Sequence, residues 1–451
     1  MKQNSKHRGL ELLKDVLILL LTCSALWLAA KSQLLNSLDS FLGENRPQTV
    51  DGQIQGGNQT ESIVPMAMVI NIPGETEGQK DLELPEGSKG VRFGVMYDQL
   101  AGQKLFQQVA GLLVDAFSSA QPPEKIDRAQ WESALCDQFG IYMDFQGEIP
   151  LPVLVGWLTG EDTTLEGSVR RLILTDWDGA AALYYQDEED GSYYRCPSEF
   201  SDPQILKETL NTMADNGAFY AFESEEYRIL DPDTLFISSI PAPLVYTDTN
   251  PVNEGEKSLE VLVEELGFPL NATSFYATDE WVARCEDDSV RLSERGVLEY
   301  SAGDQGGLLP IRRQGDLGAL YDSVETCRQI AVTTLGSRCG EARLYLSSVN
   351  HTQDGLEVIF EYSLNEIPAC QEQGYAAKFL VANGKITQFT MRFRSYTASG
   401  ATSVVMPPRQ TLAAFSAMGL EGRELQLTYN DSGEELVTAG WSARGEGSGE
   451  G

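Results

Sequence analysis

Residues 16–30 read VLILLLTCSALWLAA, with the bases Lys2, Lys6, Arg8 and Lys14 in front of them. As a helix rising ~1.5 Å per residue this run covers about 22 Å, short of a hydrocarbon core of ~30 Å. Extending back to Leu10 takes in Leu12 and Leu13 and lengthens the helix to about 31 Å, which spans. Lys14 and Asp15 then lie at the membrane edge, where the lysine snorkels to the headgroups and the aspartate shares the same wet interface. Only Lys31 follows the apolar run. The excess of positive charge in front therefore places the N-terminus in the cytoplasm and everything beyond residue 31 outside.

A cleaved signal peptide is the rival reading, with Ala30-Lys31-Ser32 as a small-x-small site that the central lysine makes a mediocre one. The sequence downstream argues for an uncleaved anchor. Leu34, Leu35, Leu38, Phe41 and Leu42 continue the run as a helical stripe. Cys23, preceded by Thr22 and a short apolar run, fits a small apolar residue of the span better than a lipid-attachment site. Span and stripe together form one lever, residues 10–42. Ser24, Ala25, Ala29 and Ala30 on it are small enough for a second helix to pack closely, with Leu34, Leu38 and Phe41 continuing the contact face beyond the membrane.

Composition bounds what the exported part does. The chain of 451 residues is 42% hydrophobic with 17 Phe and 17 Tyr, enough for packed cores in two or three domains. Its net charge is −34, and beyond residue 31 there are 65 acids against 28 bases. A body this acidic repels nucleic acid and anionic headgroups, which excludes a nucleic-acid partner.

The motifs of familiar chemistries are missing. Six cysteines lie beyond the span, Cys136, Cys196, Cys285, Cys327, Cys339 and Cys370. Their wide spacing without CxxC points to no metal site, and they read either as three disulfides or as small buried residues. Cys327 and Cys339 bracket one helix and a turn and are the first pair to test. The only exported histidine, His351, sits in the turn Asn350-His351-Thr352-Gln353-Asp354-Gly355. No GxSxG occurs, and no lysine has Ser three residues before it. Asp176-Trp177-Asp178-Gly179 resembles the start of a calcium loop, but Ala180 and Ala181 stand where oxygen ligands are needed, so it reads as a turn. No catalytic residue, cofactor or metal ligand is nominated.

In chain order, 1–9 is a basic tail, 10–30 the transmembrane helix, 31–42 the juxtamembrane helix and 43–90 a linker of partly low complexity. Within the linker, 63–72 (IVPMAMVINI) is either an edge strand or the first strand of the exported fold. Regular structure is expected to resume at residue 91. A first α+β lobe, 91–240, holds helices at about 100–117, from 127 and at 203–213. It also holds a strand at 140–145, a short apolar segment at 151–158, and a three-strand meander over 168–196. A second region, 241–441, divisible at 305/306, holds helices at 258–266, 316–335 and 409–418. Short strands at 273–301 precede long ones at 342–349, 356–364, 376–381, 386–396 and 424–429, with Asn383-Gly384 as a type I′ hairpin turn. Residues 442–451 read as an unstructured tail. The fold class is α+β, with antiparallel meander sheets in two exported lobes behind one N-terminal span.

These features resemble the YycH/YycI group. The matching stretches are the span at 10–30, the helix at 258–266 closed by Gly267-Phe268-Pro269, and the short-strand unit SVRLS…GVLEY at 289–300. The hairpin around Asn383-Gly384-Lys385 and the strand LQLTY at 425–429 leading to Trp441 complete them. The resemblance covers the span and 244–441; the first lobe matches in outline, and the tail after Trp441 departs from the pattern. It implies a non-enzymatic, membrane-anchored regulator of the WalK-type (YycG-type) sensor histidine kinase of Gram-positive bacteria. The implied contacts are made through the transmembrane helix and exported domains, with a paralogous YycI-like regulator as a second partner. Two other readings stand beside it. One is a cell-envelope hydrolase using a carboxylate pair in a cleft. The other is a passive envelope- or peptide-binding module with a pocket lined by Trp157, Trp177 or Trp281.

Overall fold

The computed structural model describes residues 63–73, 91–177, 179–199, 215–239, 241–304, 307–372, 374–433 and 435–444. The span at 10–30, the stripe at 31–42, the helix at 203–213 and the residues after 444 lie outside them. Among the described residues no helix is long and apolar enough to cross a membrane.

The first sheet has seven strands, β1 (Ala67–Ile72), β2 (Val91–Met96), β3 (Glu124–Ile126), β4 (Gly140–Pro150), β5 (Ser168–Trp177), β6 (Ala180–Asp187) and β7 (Tyr193–Pro197). They run antiparallel in the order β2-β1-β4-β5-β6-β7-β3. β1 is thus an inner strand, which decides against the edge reading of 63–72 and starts the regular structure well before residue 91. Pro65 lies ahead of the strand, where its missing N–H costs no ladder bond.

Helix α1 (Gln99–Ser118) starts where the Asp98 carboxylate accepts the Ala101 N–H, and α2 (Arg128–Cys136) starts from an Asp127–Gln130 capping box. The apolar segment after 150 is a third helix, α3 (Leu151–Thr159), opened by a proline in its first turn and closed by Gly160 at φ 71°. Val69, Tyr142, Ile173 and Tyr184 face one another across four strands and pack with Trp131 of α2. The alternate row Met68, Met143, Leu172 and Tyr185 is buried too, so both faces of this sheet are covered.

A two-stranded ribbon, β8 (Phe219–Tyr220) and β9 (Leu235–Phe236), follows. The second sheet holds β10 (Leu244–Thr249), β11 (Thr273–Ala277), β12 (Trp281–Cys285), β13 (Asp288–Leu292), β14 (Val297–Ser301), β15 (Arg343–Thr352), β16 (Gly355–Leu364), β17 (Ile367–Gln371), β18 (Ala377–Ala382), β19 (Lys385–Arg392), β20 (Ser395–Thr402), β21 (Glu424–Asp431) and β22 (Leu436–Arg444). Their order is β11-β12-β13-β14-β19-β18-β16-β17-β21-β22-β10-β20, with β15 paired to β16 and only β17–β21 parallel. Helices α4 (Glu256–Glu265), α5 (Ala319–Thr334) and α6 (Pro408–Ala417) complete the second half. The architecture is α+β with antiparallel sheets.

Three expectations are corrected here. The strand expected over 386–396 is two: β19 stops at Arg392, the buried Phe393 donates its N–H to Gly296 O at 2.8 Å, and β20 joins the far end of the sheet beside β10. β22 runs to Arg444, so the tail starts later than 442. The 316–335 helix begins only at Ala319, after Gly318 at φ 90°.

The two sheets meet where the β4 backbone crosses β15. A Cβ built on Gly147 would lie 1.8 Å from Leu346 O. Gly147→Ala should therefore destabilise the protein by about 1–3 kcal/mol. A urea-unfolding midpoint equal to wild type would refute that contact.

Candidate functional site

The described residues gather charge at one buried seam, where β4 and β5 of the first sheet face the start of β21. Neighbouring residues of a strand point to opposite faces, yet Arg170 and Arg171 both reach this seam. The ladders explain it. From Val169 to Leu172, β5 has one more residue than β6 opposite it, a bulge at the arginine pair. β4 carries a larger irregularity between Asp144 and Ile149, with Gln146 at φ 64°.

Arg170 clamps two carboxylates with one guanidinium. It donates to Asp144 Oδ1 and Oδ2 at 2.9 and 2.8 Å, and to Glu424 Oε2 and Oε1 at 2.6 and 2.8 Å. Arg171 donates to Glu424 Oε2 at 3.1 Å and Asp233 Oδ2 at 3.4 Å, with Asp231 at 3.6 Å. Arg128 of α2 holds Asp233 bidentately at 2.7 and 2.8 Å, and the Trp131 indole donates to the same carboxylate at 3.2 Å. Burial alone would raise the Glu424 carboxyl, but Arg170, Arg171 and Arg444 outweigh it and bring it down to about 2. Such bidentate charge-assisted bonds fix geometry as well as energy.

Other polar ties run alongside. Arg343 pairs with the buried Glu366 and donates to Val64 O at 3.2 Å, while Asn365 accepts Gln99 N–H and donates to Tyr97 O. Trp157 of α3 donates to the fully buried Glu325 of α5 at 2.9 Å. Asp144, Glu366 and Glu424 also line a cleft, but its interior has room for about one water, ≈20 Å³. All three carboxylates bind arginines, so this seam offers the carboxylate-pair reading no substrate cleft.

The residues nominated as a partner-binding face, Ser24, Ala25, Ala29, Ala30, Leu34, Leu38 and Phe41, lie outside the described residues. The three tryptophans lie on three different elements, α3, β5 and β12. Trp157 is buried, Trp177 lies under the Arg195 guanidinium at 4.0 Å, and Trp281 packs against Gly255. His351 is an exposed residue of β15 opposite Leu356. Cys196, Cys285 and Cys327 are buried free thiols, Cys339 is buried, Cys136 is half-buried and Cys370 exposed. Cys339 donates to Ala342 O at 2.9 Å rather than bonding Cys327. The acids of the β6–β7 turn serve the turn itself, Asp187 accepting Glu189 N–H and Asp190 accepting Ser192 N–H. Among the described residues no group of three or more His, Cys, Asp or Glu is placed to hold a metal ion.

No family model and no curated protein matches this chain. Among solved structures it is similar to YycH from Bacillus subtilis, with a TM-score of 0.53 and 12% sequence identity, over 89% of this chain and 98% of that one. At this identity the likeness establishes a shared fold.

Proposed function

With the fold of Bacillus subtilis YycH as the premise, we propose that this chain is a membrane-anchored, non-enzymatic regulator of a cell-wall-sensing histidine kinase. The observation that carries the reading is the likeness over nearly the whole of that protein, joined to the YycH-type pattern of basic tail, single span and acidic exported body. The N-terminus lies in the cytoplasm, residues 10–30 cross the cell membrane once, and the body stands outside. The kinase is met through Ser24, Ala25, Ala29 and Ala30 within the membrane and through Leu34, Leu38 and Phe41 just beyond it. A YycI-like paralogue is the second partner.

The energetics suit a regulator. Close helix pairs in membranes contribute on the order of 1 kcal/mol each. That is too little to hold a complex together, yet enough to bias a kinase poised between two states. The seam supports this role by coupling the two sheets rigidly, so that the body steers the helix as one piece.

The test is a photo-crosslinking scan, one position at a time over residues 16–42, with the kinase co-expressed. Crosslinking should rise and fall with a period of about 3.6 residues and peak at the small-residue face. A flat profile, together with kinase autophosphorylation unchanged by deleting this chain, would sink the proposal.

A further inference from the structure

The second sheet stops on one side at β11, and among the described residues β12 is its only strand neighbour. An open edge ordinarily carries a charge or a proline against pairing; β11, TSFYA, carries neither. Its side chains alternate between the two faces of the sheet. Phe275 stands opposite Ala283, and Ala277 opposite Trp281, whose ring packs against Gly255 at the start of α4. That face is therefore the one α4 covers. Ser274 and Tyr276 lie on the other face and are exposed.

Helix α4 rests on β12, with β11 and β13 to either side. Its buried stripe is Leu259, Leu262 and Val263. At ~100° per residue, two flanks rise from that stripe. One holds Glu265, which pairs with Arg338 at 2.7 Å, just past the end of α5. Because α5 packs farther into the sheet, on β15, β16 and β18, this flank faces inward. The opposite flank, toward β11 and the edge, holds Glu256, Glu260 and Glu264. All three are exposed and, among the described residues, without a basic partner. This ridge works against its own helix. Glutamates four apart repel one another, and Glu264 lies at the negative end of a helix whose last turn has no base.

We propose that β11 and the glutamate ridge together bind an extended, basic segment of a partner protein, which adds to the sheet as a further strand. The open β11 backbone supplies the ladder bonds. A strand set ~4.8 Å beyond β11 turns every second side chain toward the α4 face and the others toward the side of Tyr276. The segment that fits alternates lysine or arginine, which meet Glu256, Glu260 and Glu264, with apolar residues, which lie beside Tyr276. Charge complementarity selects this occupant, since an acidic or neutral strand would leave the three glutamates facing no opposite charge. The surface is separate from the membrane-helix contact proposed above and does not depend on it.

The probe is a short fluorescent peptide of alternating lysine and valine, titrated with the full-length chain in mild detergent and read by anisotropy. Glu256→Gln with Glu260→Gln and Glu264→Gln should weaken binding about tenfold, the combined effect of three exposed charge pairs. Glu161→Gln with Asp162→Asn and Glu166→Gln removes the same charge from an exposed loop after α3 and should leave the affinity unchanged. Methylating every backbone nitrogen of the peptide keeps its charge and removes its N–H donors. That peptide should bind the wild-type chain about tenfold more weakly, a comparison that needs no variant. Absence of binding to the wild-type chain overturns the proposal. So do equal losses in the two triple variants, as general attraction to an acidic body would give, and equal binding of the methylated peptide, as charge without strand pairing would give.

Discussion

Glu424→Gln should cost about 3–5 kcal/mol, the usual penalty for removing one partner of a buried ion pair and leaving the other uncompensated. Two guanidinium groups would be left short, because Arg170 and Arg171 both donate to this carboxylate, and both are buried. The pH dependence supplies an independent check. Glu424 titrates at about 2 in the fold against an ordinary 4.5. The stability it contributes is therefore fully present above pH 4.5 and is lost as pH falls through about 2. The deficit of the variant, read from urea unfolding, should accordingly be complete at pH 7 and shrink below pH 4.5. A loss under 1 kcal/mol at pH 7 would mean that the seam contributes little to holding the sheets together.

Much of the fold was legible because its signals are local. The apolar spacing from Leu105 to Phe117 and the proline pair after it fix α1, and Asn383-Gly384, at φ 53° and 73°, turns as its sequence says. What escaped depends on long-range pairing. β17 is five residues long, and its parallel partner β21 lies far along the chain. β22 reads LVTAGWSAR, too rich in small residues to announce a strand without β21 beside it. Residues 386–396 look like one strand because nothing local marks the departure at Phe393. The seam has one local signal, two adjacent arginines, Arg170 and Arg171, at the start of a largely apolar run in one strand. In a regular strand they would face opposite sides, so the pair itself points to a bulge. Their carboxylate partners, Asp144 and Glu424, lie 280 residues apart in the chain, and no spacing rule connects them.

Buried ion pairs are costly to assemble and seldom the cheapest way to gain stability. What they add at this seam is direction, since each bidentate guanidinium accepts one arrangement of its partners. An apolar seam would tolerate sliding between the sheets; Arg170, gripping Asp144 on one side and Glu424 on the other, resists it. For a body proposed to steer a membrane helix, that resistance is the useful property.

Asp248→Asn should act in the opposite sense and stabilise the protein at neutral pH. Asp248 lies at the β10 end of the sheet, close to Arg394, which also approaches Asp431 at 3.5 Å. Asp431 is already engaged, accepting the Tyr396 hydroxyl at 2.6 Å and the Gly433 N–H at 3.0 Å. Burial, then the nearby Asp431, push the Asp248 carboxyl up to about 6, and Arg394 offsets only part of this. The folded state thus holds a proton that the unfolded chain releases near pH 3.8. Stability is present in full below that point and falls as pH rises through 6, by about 3 kcal/mol. Asparagine keeps the shape of the protonated acid and carries no charge to desolvate, while Arg394 retains Asp431. Unfolding at pH 7.5 should therefore show the variant more stable than wild type by up to about 3 kcal/mol, with the difference fading toward pH 4. A variant less stable than wild type at pH 7.5 would show instead that the Arg394 pair outweighs the cost of burying the charge.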